Sequence, residues 1–305
     1  MKLVQLRDLL AVVQTGSLRS AGRHLGIAQP VITRSIRNLE NELGQTLFER
    51  HSSGVSLTPV GERFVRRIES VQAELRRAKE EVSQLIGDDV GEVSVGLSPL
   101  AVMTMWPRAI AAFNKQYPRA IVHTTNTLFQ PVERMLAEGL MDFWIGSVNE
   151  DNISQRFSVE VLMNHDRRVA ARLNHPLSGA STMEELVDAS WVRPSLDARS
   201  KARDLEAIFH QLGLPKPNVA VQSSSMLVTL LTAANTDLLT ILPNMMFQLM
   251  PIAKYCAPLE KIPPIPSDPI CLVHRTGLPL TPLAEKLSDQ LRKAASNFSL
   301  ETQAK

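Results

Sequence analysis

The chain has 305 residues, which at about 150 per domain allows two domains, or three if one is small. Its 44% hydrophobic and 21% charged content is ordinary globular usage and excludes a disordered or fibrous chain, and no run approaches the roughly 18 unbroken apolar residues of a membrane helix. The net charge of +2 is unevenly spread: residues 1–87 hold 13 Lys and Arg against 9 Asp and Glu (+4), the remainder 20 against 22 (−2). The basic excess of the first part is where a nucleic-acid contact is sought, although charge alone reads equally well as a solvated surface.

Leu3, Leu6, Leu9, Leu10 and Val13 follow helical spacing, with Gly16 as the stop and Ser17 placed to cap a brief second helix, Leu18 to Leu25. Gly26 supplies the turn into a third helix that begins near Gln29 and Pro30, giving a helix-turn-helix. On that third helix Ile32, Ile36, Leu39 and Leu43 share one stripe, while Pro30, Thr33, Arg34 and Arg37 cluster opposite. One face packs and the other is free to read DNA, with Gln29 at its start. Beyond Gly44, Thr46–Arg50 and Val55–Thr58 form two short strands, a wing that carries Arg50 and His51.

Thr58, Pro59 and Glu62 mark the start of a long helix. Phe64, Ile68, Val71, Leu75, Ala78, Val82 and Leu85 repeat at intervals of 4 and 3, a heptad seam that calls for a partner helix, the alternative being a helix folded on its own domain. After the polar break at Gly87–Asp89, strands and helices alternate. Strands are expected at 93–97, 121–125, 142–146, 167–172, 191–193, 219–222, 238–242 and 269–274. Helices are expected from Ser98 to Tyr117 and at 131–138, 200–212, 223–234 and 282–295. This alternation predicts an α/β fold with mainly parallel sheets in two lobes, the last strand and helix rejoining the first lobe.

No glycine-rich nucleotide loop, Walker lysine, His-Glu-x-x-His or nucleophile elbow is present, so no catalytic residue is inferred. The seven histidines lack ligand spacing, and Cys256 and Cys271 form no Cys-x-x-Cys pair; no metal and no cofactor are expected. Hydroxyls recur instead where strands end and helices start: Ser98 before Pro99, Thr125 and Thr127, Ser147, Ser195, and Ser223 with Ser224. In open α/β sheets that is where small ligands bind, and free backbone donors there suit an anion. Helix capping is an equal reading for each serine. Arg193 and Arg199 are weaker candidates for an added charge, and Phe129, Trp144 and Phe247 for aromatic walls, core packing being the alternative.

These residues resemble the LysR-type transcriptional regulators of bacteria. The resemblance is carried by Gly16-Ser17-Leu18, Ala21, Leu25, Gln29-Pro30, Thr33, Ile36, Leu39-Glu40, Leu43-Gly44, Leu47-Phe48-Glu49-Arg50 and Leu57-Thr58-Pro59 with Gly61. Ala28 departs from it, standing where the family usually has a capping serine. Stretches at Ser98–Leu100, Phe113–Pro118 and Thr240–Pro243 are similar to a family member that regulates toluenesulfonate degradation, which points to an aromatic acid.

The resemblance implies a winged helix-turn-helix over 1–58, a linker and dimerisation helix over 59–87, and a regulatory segment over 91–305 of the two-lobed, periplasmic-binding-protein type. Lobe I would take about 91–162 and 267–305, lobe II about 163–266. It further implies a homodimer or homotetramer on double-stranded promoter DNA and a small effector, expected here to be a carboxylate or sulfonate. Without a signal-peptide pattern, since Arg7 and Asp8 interrupt the first apolar run, the expected location is the cytoplasm. The competing reading is a small-molecule binding protein whose N-terminal helices serve assembly only; the outward row on the third helix argues against it.

Overall fold

A computed structural model describes residues 1–52, 54–86, 89–127, 129–149, 153–194, 204–248, 252 and 254–303. The chain divides into two compact units, Met1–Lys79 with Glu138–Leu140, and Glu80–Ala137 with Met141–Lys305.

In the first unit α1 (Leu3–Thr15) ends at Gly16, whose φ of 70° is the left-handed geometry of a helix stop. Ser17 then caps α2 (Leu18–Leu25) by accepting the Ser20 N–H at 3.1 Å. Gly26, at φ 68°, turns the chain into α3 (Gln29–Leu43). Leu6, Leu9, Val12, Ala21, Ile32, Ile36, Leu39 and Leu47 form the core of this unit. Leu43, expected in the same stripe, is instead exposed, because it sits in the last turn of α3. Strands β1 (Phe48–His51) and β2 (Gly54–Leu57) pair antiparallel as the wing. Helix α4 (Pro59–Leu85) follows, its first turn capped by Thr58, whose Oγ1 accepts the Gly61 N–H at 2.9 Å.

The second unit opens with β3 (Gly91–Leu97). The single helix expected from Ser98 to Tyr117 is two, α5 (Pro99–Thr104) and α6 (Trp106–Gln116), with Met105 at the joint and Pro107 at the start of the second. Proline has no N–H to continue the ladder, so a new helix starts there. Next come β4 (Ala120–Asn126), α7 (Phe129–Ala137), β5 (Phe143–Ser147) and β6 (Phe157–Met163). Then follow β7 (Asp166–Arg172), β8 (Ser190–Pro194), α8 (Leu205–Gln211), β9 (Asn218–Ser223), α9 (Met226–Asn235) and β10 (Thr240–Pro243). The chain closes with β11 (Cys256–Pro258), β12 (Ile265–Pro266), β13 (Ile270–Arg275) and α10 (Pro282–Gln303).

One sheet has the order β4-β3-β5-β13-β6. Its β3 runs parallel to β4 and β5, whereas β13 is antiparallel to both β5 and β6. A second sheet is antiparallel about β7, with β10, β11 and β12 beside it, and β8 and β9 form a parallel pair. The first sheet is therefore mixed and the second antiparallel, rather than mainly parallel; in the first, the late return of β13 enters against the direction of its neighbours. Strand β6 was not anticipated, although Phe157, Val159, Val161 and Met163 alternate along it. Both faces of the first sheet are covered: Val95, Leu97, Phe143, Ile145 and Leu272 meet α5, α6 and α10, and Trp144, Cys271 and Val273 meet α7. Among the described residues no helix is long and apolar enough to cross a membrane.

Candidate functional site

Two sets of residues emerge. On α3, burial of Ile32, Ile36 and Leu39 leaves Gln29, Pro30, Arg34 and Arg37 exposed on the other side. Arg50, on the wing strand β1, is exposed as well. None of these three arginines forms an ion pair among the described residues. Thr33 is half-buried and its hydroxyl donates to the Gln29 carbonyl at 3.0 Å, so of the polar row it is the member already engaged. Ala28 gives α3 no side-chain cap, as its methyl cannot accept a hydrogen bond. Glu40, named above only within the family pattern, makes a contact that pattern did not reveal: its Oε1 accepts the N–H of Leu47 at 2.8 Å and of Phe48 at 3.3 Å, tying α3 to the start of the wing. The available signal was a carboxylate in the last turns of a helix, beside a chain reversal with free N–H groups.

The second set lies where strands end. Ser98 is buried and follows β3; its N–H donates to the Ile145 carbonyl at 2.7 Å and its Oγ accepts the Ala101 N–H at 3.3 Å, capping α5. Its hydroxyl proton is not used by either bond. Pro99 is half-buried as the first residue of that helix. Thr125 is exposed on β4 opposite Gly96, and Thr127, half-buried, donates its N–H to the Leu97 carbonyl at 3.0 Å. Ser147, at the end of β5, places its Oγ 2.9 Å from Nε2 of His165. Thus Ser98, Thr125, Thr127 and Ser147 share the carboxyl edge of β3, β4 and β5.

Ser223 ends β9, where its Oγ accepts the Ser225 N–H at 3.0 Å, and Ser224 is exposed beside it. The cap of α9 is Ser225 rather than Ser223 or Ser224, since it accepts the Val228 N–H, and α9 starts at Met226, later than expected. Ser195 and Arg199 lie outside the described residues. Arg193 is not available to an anion: Asp204 and Glu206 hold its guanidinium at 3.2 and 3.1 Å. Of the expected aromatic walls, Phe129 and Trp144 are core, their rings 5.2 Å apart. The indole of Trp144 lies against Gly96 and Gly146, where a Cβ would come within 2.5 and 2.4 Å of it, and its Nε1 donates to the Thr127 carbonyl. Phe247 is only partly buried. Its neighbours Met245 and Met246, with Met226 and Leu230 of α9, pack on the core of the first sheet.

Comparison with known proteins places these features in context. Residues 3–62 match the family described as bacterial regulatory helix-turn-helix protein, lysR family, and residues 87–296 match the LysR substrate binding domain. The chain is 28% identical to the transcriptional regulator TdcA of Escherichia coli over 232 residues, 76% of this chain and 74% of that protein. It is 26% identical to the regulator GbpR of Azospirillum brasilense over 302 residues, 97% and 87% of the two chains. Among solved structures, the LysR family regulator CbnR superposes with a TM-score of 0.68 at 19% identity, over 97% of this chain and 99% of that one. Full-length CbnR in complex with its target DNA gives 0.67 at 19% identity, over 96% and 100%.

Proposed function

Because this chain belongs to the LysR family of bacterial transcriptional regulators, we propose that it binds promoter DNA as a homodimer or homotetramer and changes transcription when a small organic acid enters its substrate-binding domain. The observation that carries the DNA half is the divided surface of α3. Its apolar face is sealed in the core while Gln29, Arg34 and Arg37 stand exposed on the other, which suits a recognition helix lying in the major groove. Glutamine there can pair with adenine, and the arginines with guanine or phosphate. Arg50 on the wing supplies a further backbone contact. Residues 1–58 are the DNA-reading part, 59–87 the linker, and 91–305 the effector-binding part, with lobe I at about 91–162 and 267–305 and lobe II at about 163–266.

Assembly through the linker is supported by the seam on α4. Phe64 and Ile68 enter the core of their unit, but Val71, Leu75, Val82 and Leu85 remain exposed, Val82 by 64%. Apolar side chains repeating along one helix face in water are stabilised by a partner helix. For the effector, Ser98, Pro99, Thr125, Thr127 and Ser147 of lobe I, with Ser195, Ser223 and Ser224 of lobe II, are the contacting residues. Of these the Ser98 hydroxyl, whose proton its cap leaves unused, and the start of α9 suit a carboxylate or sulfonate.

The test is a gel shift of the full-length protein on a duplex selected from a random pool, across a salt series, with acetate, benzoate and benzenesulfonate added. Binding whose logarithm falls linearly with log salt is expected. A protein that retains no duplex at low salt, or binds without salt dependence, overturns the DNA reading. An acid that neither shifts the complex nor raises the melting temperature is removed as an effector.

A further inference from the structure

Ser147 and His165 form the most informative polar contact of the second unit. His165 sits in the short connection between β6 and β7, half-buried, with Nε2 2.9 Å from the Ser147 Oγ and Nδ1 3.3 Å from the carbonyl oxygen of Asp166. A carbonyl oxygen only accepts, so in the neutral ring the single proton belongs on Nδ1 and Nε2 keeps a lone pair. The Ser147 hydroxyl must then donate to Nε2. Turning that proton toward a ligand would strip Nε2 of its partner in a half-buried place.

The charged groups around the ring are Asp166 and Arg167 of β7 and Asp268, just before β13. Burial holds the ring below the ordinary histidine value; the bond to the Asp166 carbonyl opposes it, Arg167 reinforces it, and the carboxylates of Asp166 and Asp268 oppose it. The ring is neutral at neutral pH. Protonation would make both nitrogens donors, so the Ser147 oxygen would accept from Nε2 and its own proton would be released toward the strand ends.

We propose that His165 is the positioning residue that sets the direction of hydrogen bonding at Ser147. Ser147 faces a ligand as an acceptor while the ring is neutral and as a donor once the ring carries a second proton. This rests on the reading of Ser147 as an effector-site residue, and it narrows the ligand chemistry at that point. A hydroxyl or amino group of the effector fits Ser147 at neutral pH, whereas an acid oxygen fits it only with a proton taken from solvent onto His165. Ser98, whose hydroxyl proton is not used by its cap, suits the acid end better.

The tautomer decides this without any ligand. Nitrogen NMR of the full-length protein, labelled at histidine, should show at pH 7.5 a protonated Nδ1 and an unprotonated Nε2 for His165, with one titration below about 6.5. Its signal is assigned by loss in His165→Gln, or by displacement in Ser147→Ala if the first variant does not fold. A ring protonated at Nε2 alone, or charged at pH 7.5, overturns the proposal. Calorimetry with benzoate and 4-hydroxybenzoate, in two buffers of different ionisation enthalpy, gives the second readout. An acid that uses Ser147 should lose affinity in Ser147→Ala and bind with proton uptake if it lacks a donor; affinity lost in Ser147→Ala without such uptake for benzoate also overturns it. Failure of both acids to bind counts against the acid reading of the effector site alone, and the tautomer still decides His165.

Discussion

The carboxylate of Glu40 accepts the backbone N–H of Leu47 at 2.8 Å, so a side chain of α3 holds the main chain that leads into the wing. The Leu47 carbonyl is engaged in turn by the Thr58 N–H at 2.9 Å. It also lies so close to Gly61 that a Cβ there would fall within 2.1 Å of it. Helix α3, the wing and the start of α4 therefore share one small polar junction.

Glu40→Ala leaves two backbone donors without their acceptor. Hydrogen bonds to a charged group contribute about 1.5–3 kcal/mol, so the variant should melt several degrees lower and bind DNA more weakly. Glu40→Gln keeps an acceptor oxygen and should recover part of the loss. Calorimetric melting of the three proteins checks this; equal midpoints would show that the bond contributes nothing.

Much of the first unit was legible because local chemistry decides it. Gly16, Gly26 and Gly44 all take positive φ at helix ends, and Ser17 caps where its position predicts. The polar junction was not legible, because Glu40 and Leu47 meet only once the chain has turned. In the second unit, βα alternation revealed most strands but not β6, β11 or β12, and strand direction depends on which strand β13 finds. That is a long-range pairing that no local pattern encodes. The serine positions were visible as strand ends; that Ser147 is turned to His165, or that Arg193 is consumed by Asp204 and Glu206, was not.

Arg34 and Gln29 should fail in different ways. If Arg34 meets phosphate, Arg34→Ala weakens all duplexes alike and reduces the salt slope by about one unit. If Gln29 meets a base, Gln29→Ala relaxes the preference at one position and leaves the slope unchanged. Titrations over a salt series on selected and scrambled duplexes separate the two, and an unchanged slope for Arg34→Ala removes its phosphate role.

Leu75 is mid-seam on α4 and 42% exposed in the single chain. In a paired linker, Leu75→Glu would bury a charge without a partner, which costs several kcal/mol. Light scattering should then report a monomer at low micromolar concentration, with DNA binding weakened as the two half-sites are no longer held together. A fully dimeric variant would show that α4 does not carry the assembly.

The depressed pKa of His165 also predicts how stability follows pH. An unfolded histidine titrates near 6.5. Between that value and the lower folded one, the unfolded chain binds a proton that the folded chain does not, so acidification favours unfolding. The melting temperature should be level above about pH 7 and fall as pH drops below about 6.5. His165→Gln should flatten that fall. Glu185, held low chiefly by the Ser181 N–H and hydroxyl, and Asp89, held low chiefly by Arg119, act only in the carboxylate range and leave this window clear. Identical slopes for wild type and His165→Gln would show that the ring has the same pKa folded and unfolded.

Ser98 tests whether a cap is also a ligand. Its Oγ accepts the Ala101 N–H, so Ser98→Ala loses a cap worth about 1 kcal/mol and lowers the melting temperature in any case. If the hydroxyl also donates to an acid effector, about 1.5–3 kcal/mol more is lost on binding, a weakening of roughly ten- to a hundredfold. Ser225→Ala is the control, since it removes the equivalent cap from α9 without touching Ser98. Calorimetric titration of an acid that binds the wild type should show the large loss in Ser98→Ala and a small one in Ser225→Ala, with operator binding retained by both. Equal affinities in all three proteins would make Ser98 a cap and nothing more, and would move the acid site away from the end of β3.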